Sequence, residues 1–388
     1  MDRRGSNAED WDLYAASLDS GEPHLIPGIH AGARYSPTGH LLFVQNGQLM
    51  AAPFNAARLE LTGEPFLVSD VVTAGPRATF TVSRNGTLAF LTEPVVPDSQ
   101  LTWFTRNGSP AGTLGSPGQH ARLRLSEDGR LAAFDDGADI LTVDVERGLT
   151  SKVVSAPGAD FAPVFSPDAS AIAFGSSRVP ATNAAAFNIT AGHLYTKTLG
   201  APGDGEILFR SDGGKRTTDW SRDGRFIAFT LRNDVWTLPT PPSPEVQPVR
   251  VTDTPFAEGE AVFAPNGKWI AYQSNDSAAG QDVYVQAFPQ GVRRSAVSVG
   301  GGTAPRWNRD GSELFYVSPD SQLMSVSVSR NGEALSIGRP VPLFQSRALR
   351  RTPEYDVTAD GRFLVAVPLT EPQDNAIVVI VNFTATIK

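Results

Sequence analysis

The stretch Trp220-Ser221-Arg222-Asp223-Gly224-Arg225-Phe226-Ile227-Ala228-Phe229 decides how this chain folds. Ser, Asp and Gly in this order are turn chemistry: Asp bonds the backbone just beyond it, and Gly supplies φ > 0. The run after the turn is apolar on both faces of a pleat, so it reads as a strand covered on both sides. A second copy, Phe263-Ala264-Pro265-Asn266-Gly267 with Lys268-Trp269-Ile270-Ala271-Tyr272, adds Pro, which presets φ in the turn. Further strands follow each copy. The third is Asp234 to Leu238, Asp282 to Gln286 or Gln322 to Val326, and a polar fourth such as Pro248 to Thr252 reads as a partly exposed edge.

Working outward, the pattern returns eight times, with its glycine position at 39, 86, 129, 169, 224, 267, 311 and 361. The mean spacing is about 46 residues, the range of propeller and solenoid repeats. Position 169 is Ala; the other seven are Gly. Four short strands per repeat predict an all-β fold, a β-propeller of four-stranded antiparallel blades. Eight blades are expected, with seven plus an irregular eighth unit as the alternative. A solenoid would need atypical caps at both ends, and none is evident. The ends look complementary instead. The eighth unit stops after Ile377 to Val381 without a fourth strand, and Trp11 to Leu18 is a strand with no turn before it. Pairing Leu13–Ser17 with Ile377–Val381 would close the ring and make residues 1–388 a single domain. The N-terminal segment also reads as a third-type strand followed by Pro23 to Ile26 as a fourth, the tail of an incomplete blade.

Composition agrees. The chain has 36 Gly and 30 Pro among 388 residues, 40% hydrophobic and 19% charged residues, and a net charge of −8. This suits a turn-rich core and argues against nucleic-acid binding, which needs a basic face. No cysteine is present, which excludes disulfides, thiolate metal sites and a cysteine nucleophile. No run approaches the ~20 apolar residues of a membrane span, and the polar N-terminus does not read as a signal peptide.

The motifs Phe165-Ser166-Pro167-Asp168 and Ile270-Ala271-Tyr272-Gln273-Ser274 resemble the propeller repeats of the TolB family. A narrower likeness lies in Ala33 to Phe43, Gly47 to Phe54, Arg58 to Pro65 and Tyr284 to Pro289. These resemble the propeller that follows the kinase domain and membrane helix in many bacterial serine/threonine protein kinases. The resemblance implies a periplasmic sensor or interaction module. The chain has no kinase motif, so kinase activity is not implied, and the chain is a fragment or a free-standing relative. Its compartment is not fixed by its own residues.

No Gly-x-Ser-x-Gly elbow, His-Glu-x-x-His or phosphate loop occurs. Asp135-Asp136-Gly137-Ala138-Asp139 and Asn275-Asp276-Ser277 lack calcium-loop spacing and read as turns. No catalytic residue, cofactor or metal site is therefore expected. Trp103, Trp220, Trp236, Trp269 and Trp307 read as blade packing. The long fourth unit carries a surface loop at Ser177 to Gly192. The informative positions lie in the loops just before each first strand, at one mouth of the channel: Arg77, Arg122, Asp160, Asp219, Glu258, Glu260, Arg306 and Tyr355. They suit a polar ligand or a protein partner at one face of a monomeric ring, or else they bond one another and fix blade geometry. The leading expectation is a non-catalytic sensor or protein-interaction module. The alternative is a propeller hydrolase or lyase using carboxylates at that mouth.

Overall fold

The computed structural model describes residues 12–16, 22–29, 33–45, 48–69, 80–91, 97–178, 192–210, 213–241, 247–278, 280–289, 291, 294–331, 334–349, 354–371, 377–381 and 383. Two of the expectations above, Arg77 and most of the Ser177–Gly192 loop, lie outside them. The chain divides into two compact units. The smaller takes residues 1–97, 183–187 and 371–388, and the larger takes 98–182 and 188–370.

In the smaller unit, β1 (Leu13–Ala16) pairs only with β2 (Pro23–Ile26). A five-stranded sheet follows from β3 (Ala33–Ser36), β4 (His40–Gln45), β5 (Gln48–Asn55), β6 (Glu60–Leu61) and β7 (Phe66–Ser69). Next come β8 (Phe80–Val82) and β9 (Leu88–Leu91), the start of a third sheet.

The larger unit opens with β10 (Ser99–Phe104) and β11 (Pro110–Gly118). Four four-stranded sheets follow in chain order. They are β12 (Ala121–Leu125), β13 (Leu131–Asp135), β14 (Ile140–Asp144), β15 (Thr150–Val154); β16 (Asp160–Phe165), β17 (Ala171–Ser176), β18 (His193–Thr198), β19 (Glu206–Phe209); β20 (Lys215–Trp220), β21 (Phe226–Leu231), β22 (Asp234–Pro239), β23 (Val249–Arg250); and β24 (Glu258–Phe263), β25 (Trp269–Ser277), β26 (Gly280–Ala287), β27 (Arg294–Ala296). A five-stranded sheet holds β28 (Thr303–Trp307), β29 (Glu313–Val317), β30 (Gln322–Asn331), β31 (Ala334–Ile337) and β32 (Val341–Gln345). Then β33 (Tyr355–Val357) and β34 (Phe363–Pro368) turn back onto β10, giving the order β11-β10-β34-β33. The last strand, β35 (Ile377–Ile380), belongs to the smaller unit and pairs with β9.

All eight turn motifs join the first and second strands of separate antiparallel sheets, as the repeat predicts. In one copy Ser221 Oγ donates to Asp223 Oδ1 at 2.8 Å, while the N–H groups of Arg225 and Phe226 donate to Asp223 Oδ1 and Ser221 Oγ at 3.0 and 2.9 Å. Gly224 has φ of 74°, and Ala169 adopts the same region at 55°.

The terminal strands do not pair with one another, which corrects the expected closure. Closure happens within the larger unit. There β10 lies antiparallel on β34 over six residue pairs, from Ser99↔Pro368 to Phe104↔Phe363. The second and eighth repeats have exchanged third strands. The physical reason is that backbone pairing is indifferent to which repeat a strand comes from, and β10 supplies Leu101 and Trp103 to the core between sheets. In the larger unit each inner strand neighbours the next, from β12 through β16, β20, β24 and β28 to β33, and β33 neighbours β12. Six sheets thus form a closed ring with an apolar core between faces, such as Val262, Val283, Trp307, Leu314 and Tyr316.

Candidate functional site

The inner strands of the larger unit wall a channel. Four of them carry a non-glycine residue at positive φ, namely Arg122, Ala162, Glu260 and Ala304, with a register shift at each. Such a bulge re-aims side chains that a regular pleat would alternate.

Much of the polar chemistry there joins neighbouring sheets, and all six junctions have a side chain bonded to backbone. Asp135 Oδ2 accepts from Ala162 N at 3.0 Å. Thr217 Oγ1 donates to Ala162 O. Asp219 Oδ2 accepts from Phe263 N at 2.7 Å. Gln273 Oε1 accepts from Ala304 N at 3.0 Å. Tyr355 Oη donates to Ala304 O at 2.8 Å. At the closing junction, Glu354 and Asp356 accept from the N–H groups of Leu123 and Leu125 at 3.2 and 2.7 Å. Buried N–H groups demand such partners.

Within the channel, charges from the inner strands gather on Glu260. Arg216 reaches it at 2.6 Å, Arg124 at 3.7 Å and Arg306 at 4.0 Å. Burial acts to raise the Glu260 carboxyl, but Arg216, Arg124, Arg306 and Arg122 together hold it below its ordinary value. Burial pushes Asp219 up to about 6, against the Phe263 N–H and the nearby Arg124. Glu354 is also raised, by burial and then by Glu260. Arg124 is lowered by burial and by Arg306. At the turn end, Glu127 ion-pairs with both Arg222 and Arg309.

Among the sequence-derived residues, Glu260 and Arg306 share the channel cluster, and Asp219 and Tyr355 join sheets from the channel wall. Arg122 bonds the fully buried Asp135 at 2.8 Å and keeps 38% of its side chain exposed. Asp160 and Glu258 turn into their own sheets instead: Asp160 pairs with Arg178 at 2.8 Å, and Glu258 accepts from Ser274 Oγ at 3.0 Å. The reading missed Arg124, Arg216, Glu354 and Asp356, and it missed Glu127, Arg222 and Arg309 at the turn end. A signal existed. Arg124, Asp219, Arg306 and Asp356 all stand two residues before the motif's Ser, Asn or Thr, between residues that are mostly apolar. The cluster at the turn end occupies the variable position of the turn itself.

No protein-family model matches the chain, and no curated protein does. Solved structures do. A putative TolB from Agrobacterium tumefaciens is 13% identical, with a TM-score of 0.53, over 71% of this chain and 100% of that one. The β-propeller domain of Swd1 from Myceliophteria thermophila is 12% identical, with a TM-score of 0.47, over 67% and 86%. An oligogalacturonate lyase from Vibrio parahaemolyticus is 13% identical, with a TM-score of 0.45, over 75% and 96%. The fold is a β-propeller, and the putative TolB shares it. Fold alone does not fix function.

Proposed function

We propose that this propeller is a non-catalytic binding module of the sensor or interaction type, working at the strand-start end of the larger unit's channel. One observation carries the reading. Charged groups from several sheets converge on Glu260, and two of the cations there, Arg122 and Arg216, keep 38% and 39% of their side chains exposed. Function concentrates where a rigid scaffold leaves polar groups accessible. The likeness of Ala33 to Phe43 to propellers of bacterial signalling kinases favours a periplasmic module. Among the described residues, no helix is long and apolar enough to cross a membrane.

Arg216 is the residue to test, because Glu260 retains Arg124 and Arg306 without it. Reversing Arg122 would instead strand the buried Asp135. An immobilised panel of acidic and basic peptides should show binding by the native chain that Arg216→Glu loses without change in melting temperature. Binding that survives Arg216→Glu would sink the reading.

A second reading, a hydrolase or lyase, rests on Asp219, whose raised carboxyl lines the channel as a general acid would. Its predicted signature is turnover of oligogalacturonates or ester substrates that Asp219→Asn abolishes.

A further inference from the structure

Between the rim and the turn end, the channel of the larger unit encloses a cavity of about 110 Å³. Its lining holds four arginines, Arg124, Arg222, Arg306 and Arg309, against three carboxylates, Glu127, Asp219 and Asp356. The carboxylates are occupied. Glu127 pairs with Arg222 and Arg309. Asp356 accepts the N–H groups of Leu125 and Val357 at 2.7 and 2.8 Å. Asp219 accepts that of Phe263, and burial pushes it toward its neutral form.

Arg306 is not so well satisfied. It is 5% exposed, its Nη1 donates to Pro305 O at 2.7 Å, and its buried Nε has no partner. Glu260 stands 4.0 Å from its Nη2, beyond hydrogen-bond length. Beside it, Arg124 donates to the carbonyls of Leu123 and Thr218 at 2.9 and 3.2 Å. A buried guanidinium with an unmet donor calls for an acceptor, and the four arginines of the lining favour an anionic one, with Glu260 beside Arg306 and Arg124 holding it to a single charge. A planar, bidentate acceptor suits the guanidinium fork. Val164, Val262 and Trp307 on the same wall suit an alkyl body.

We propose that this cavity binds a small organic carboxylate on Arg306 and Arg124, the two arginines of the Glu260 cluster that also line the cavity. Its small size and the Glu127 clamp at the turn end favour a free acid of a few heavy atoms over a chain terminus threaded through the ring.

Calorimetric titration of the full chain with propionate tests this, with sulfate as the tetrahedral comparison. The expected result is saturable binding of propionate in the millimolar range, with sulfate at least about tenfold weaker. Arg306→Lys keeps the charge but removes the fork, and should weaken propionate by about tenfold or more. Should that variant fail to fold, Val262→Met fills the cavity while leaving both arginines, and should abolish binding. Arg216→Ala, at the rim, should leave propionate binding unchanged, so failure of the rim reading and of this one are separable. No saturable propionate binding, equal binding of sulfate, loss of binding in Arg216→Ala, or binding that persists in Val262→Met overturns the proposal.

Discussion

The two units use the same repeat and finish it differently. In the larger, six sheets close on themselves, and the closing sheet has Leu101 and Leu364 fully buried. In the smaller, among the described residues, β1 and β2 stand as a pair with Tyr14 and Leu25 exposed, and β35 lies at the edge of a three-stranded sheet with Ile377 and Val379 exposed. The turn motif therefore specifies a hairpin and leaves ring closure open. Closure comes from where the third strand of a repeat is delivered. The sharpest way to break the contrast is to cut the same kind of contact in each unit. Leu101→Ala should cost about 2–5 kcal/mol through loss of packing and a residual cavity. Val378→Ala, on the half-buried β35, should cost at most about 1.5 kcal/mol. Trp103, Trp220, Trp236, Trp269 and Trp307 all lie in the larger unit, so denaturation followed by tryptophan fluorescence should shift strongly for Leu101→Ala and hardly for Val378→Ala. Equal shifts would mean the two units unfold as one.

This contrast also marks what the sequence could tell. The eight turns were legible because φ > 0 restricts residue choice, and seven of the eight copies place Gly at the one position that needs it. The destination of β10 and β35 was not. Leu101 and Trp103 on one, and Val378 and Ile380 on the other, would fit the same slot. The site was half legible. Glu260 and Arg306 were found because loops not consumed by turn chemistry were expected at the channel mouth, although both residues lie within the inner strands β24 and β28. Asp160 and Glu258 looked the same in sequence but bond within their own sheets, and nothing in residue type separates the two fates. Arg124 and Asp356 were overlooked because a charge inside a strand reads as solvent-facing unless the strand is known to wall a channel.

The next effect is pH-dependent and belongs to the closed ring alone. Asp219 moves from an ordinary 3.8 to about 6 on folding. Between these values the folded chain holds a proton that the unfolded chain has released. The stability contributed by this group is thus full below pH of about 4, falls as pH rises to about 6, and is flat above, by about 3 kcal/mol in all. Asp219→Asn carries no charge and keeps an acceptor for Phe263 N. It should flatten that fall and leave the protein at least as stable at neutral pH. A fall across this range that is unchanged in the variant would assign it to another group.

The inter-sheet bonds can be ranked in the same way. Asp356→Ala leaves the N–H groups of Leu125 and Val357 without acceptors at the closing junction, and should lower the fluorescence midpoint by about 1–3 kcal/mol. Arg58→Ala in the smaller unit, an exposed partner of Glu60 at 3.5 Å, should change nothing measurable.

The smallest measurable effect expected is a gain, and it tests the turn on which the repeat rests. Ala169 holds φ of 55° where the seven other copies have Gly at 67° to 85°. An L-residue in this region costs about 1–2 kcal/mol through contact of Cβ with the carbonyl that follows. Replacing it with Gly removes that strain but adds freedom to the unfolded chain, worth roughly 0.5–1 kcal/mol in the opposite sense. The difference leaves a stabilisation between about zero and about 1.5 kcal/mol for Ala169→Gly. The hydrogen bonds argue for the upper part of the range. Ala169 N donates to Ser166 O at 2.9 Å, and Ser170 N to Asp168 Oδ1 at 3.1 Å, so the turn keeps its full pattern and has not relaxed to accommodate Cβ. The reverse change at an intact copy, Gly224→Ala, should destabilise by a like amount, with its Cβ meeting only the ring of Pro167 at 3.9 Å. Thermal melts of the two variants should therefore move in opposite directions, and a shift of the same sign in both would show that φ is not what the position selects.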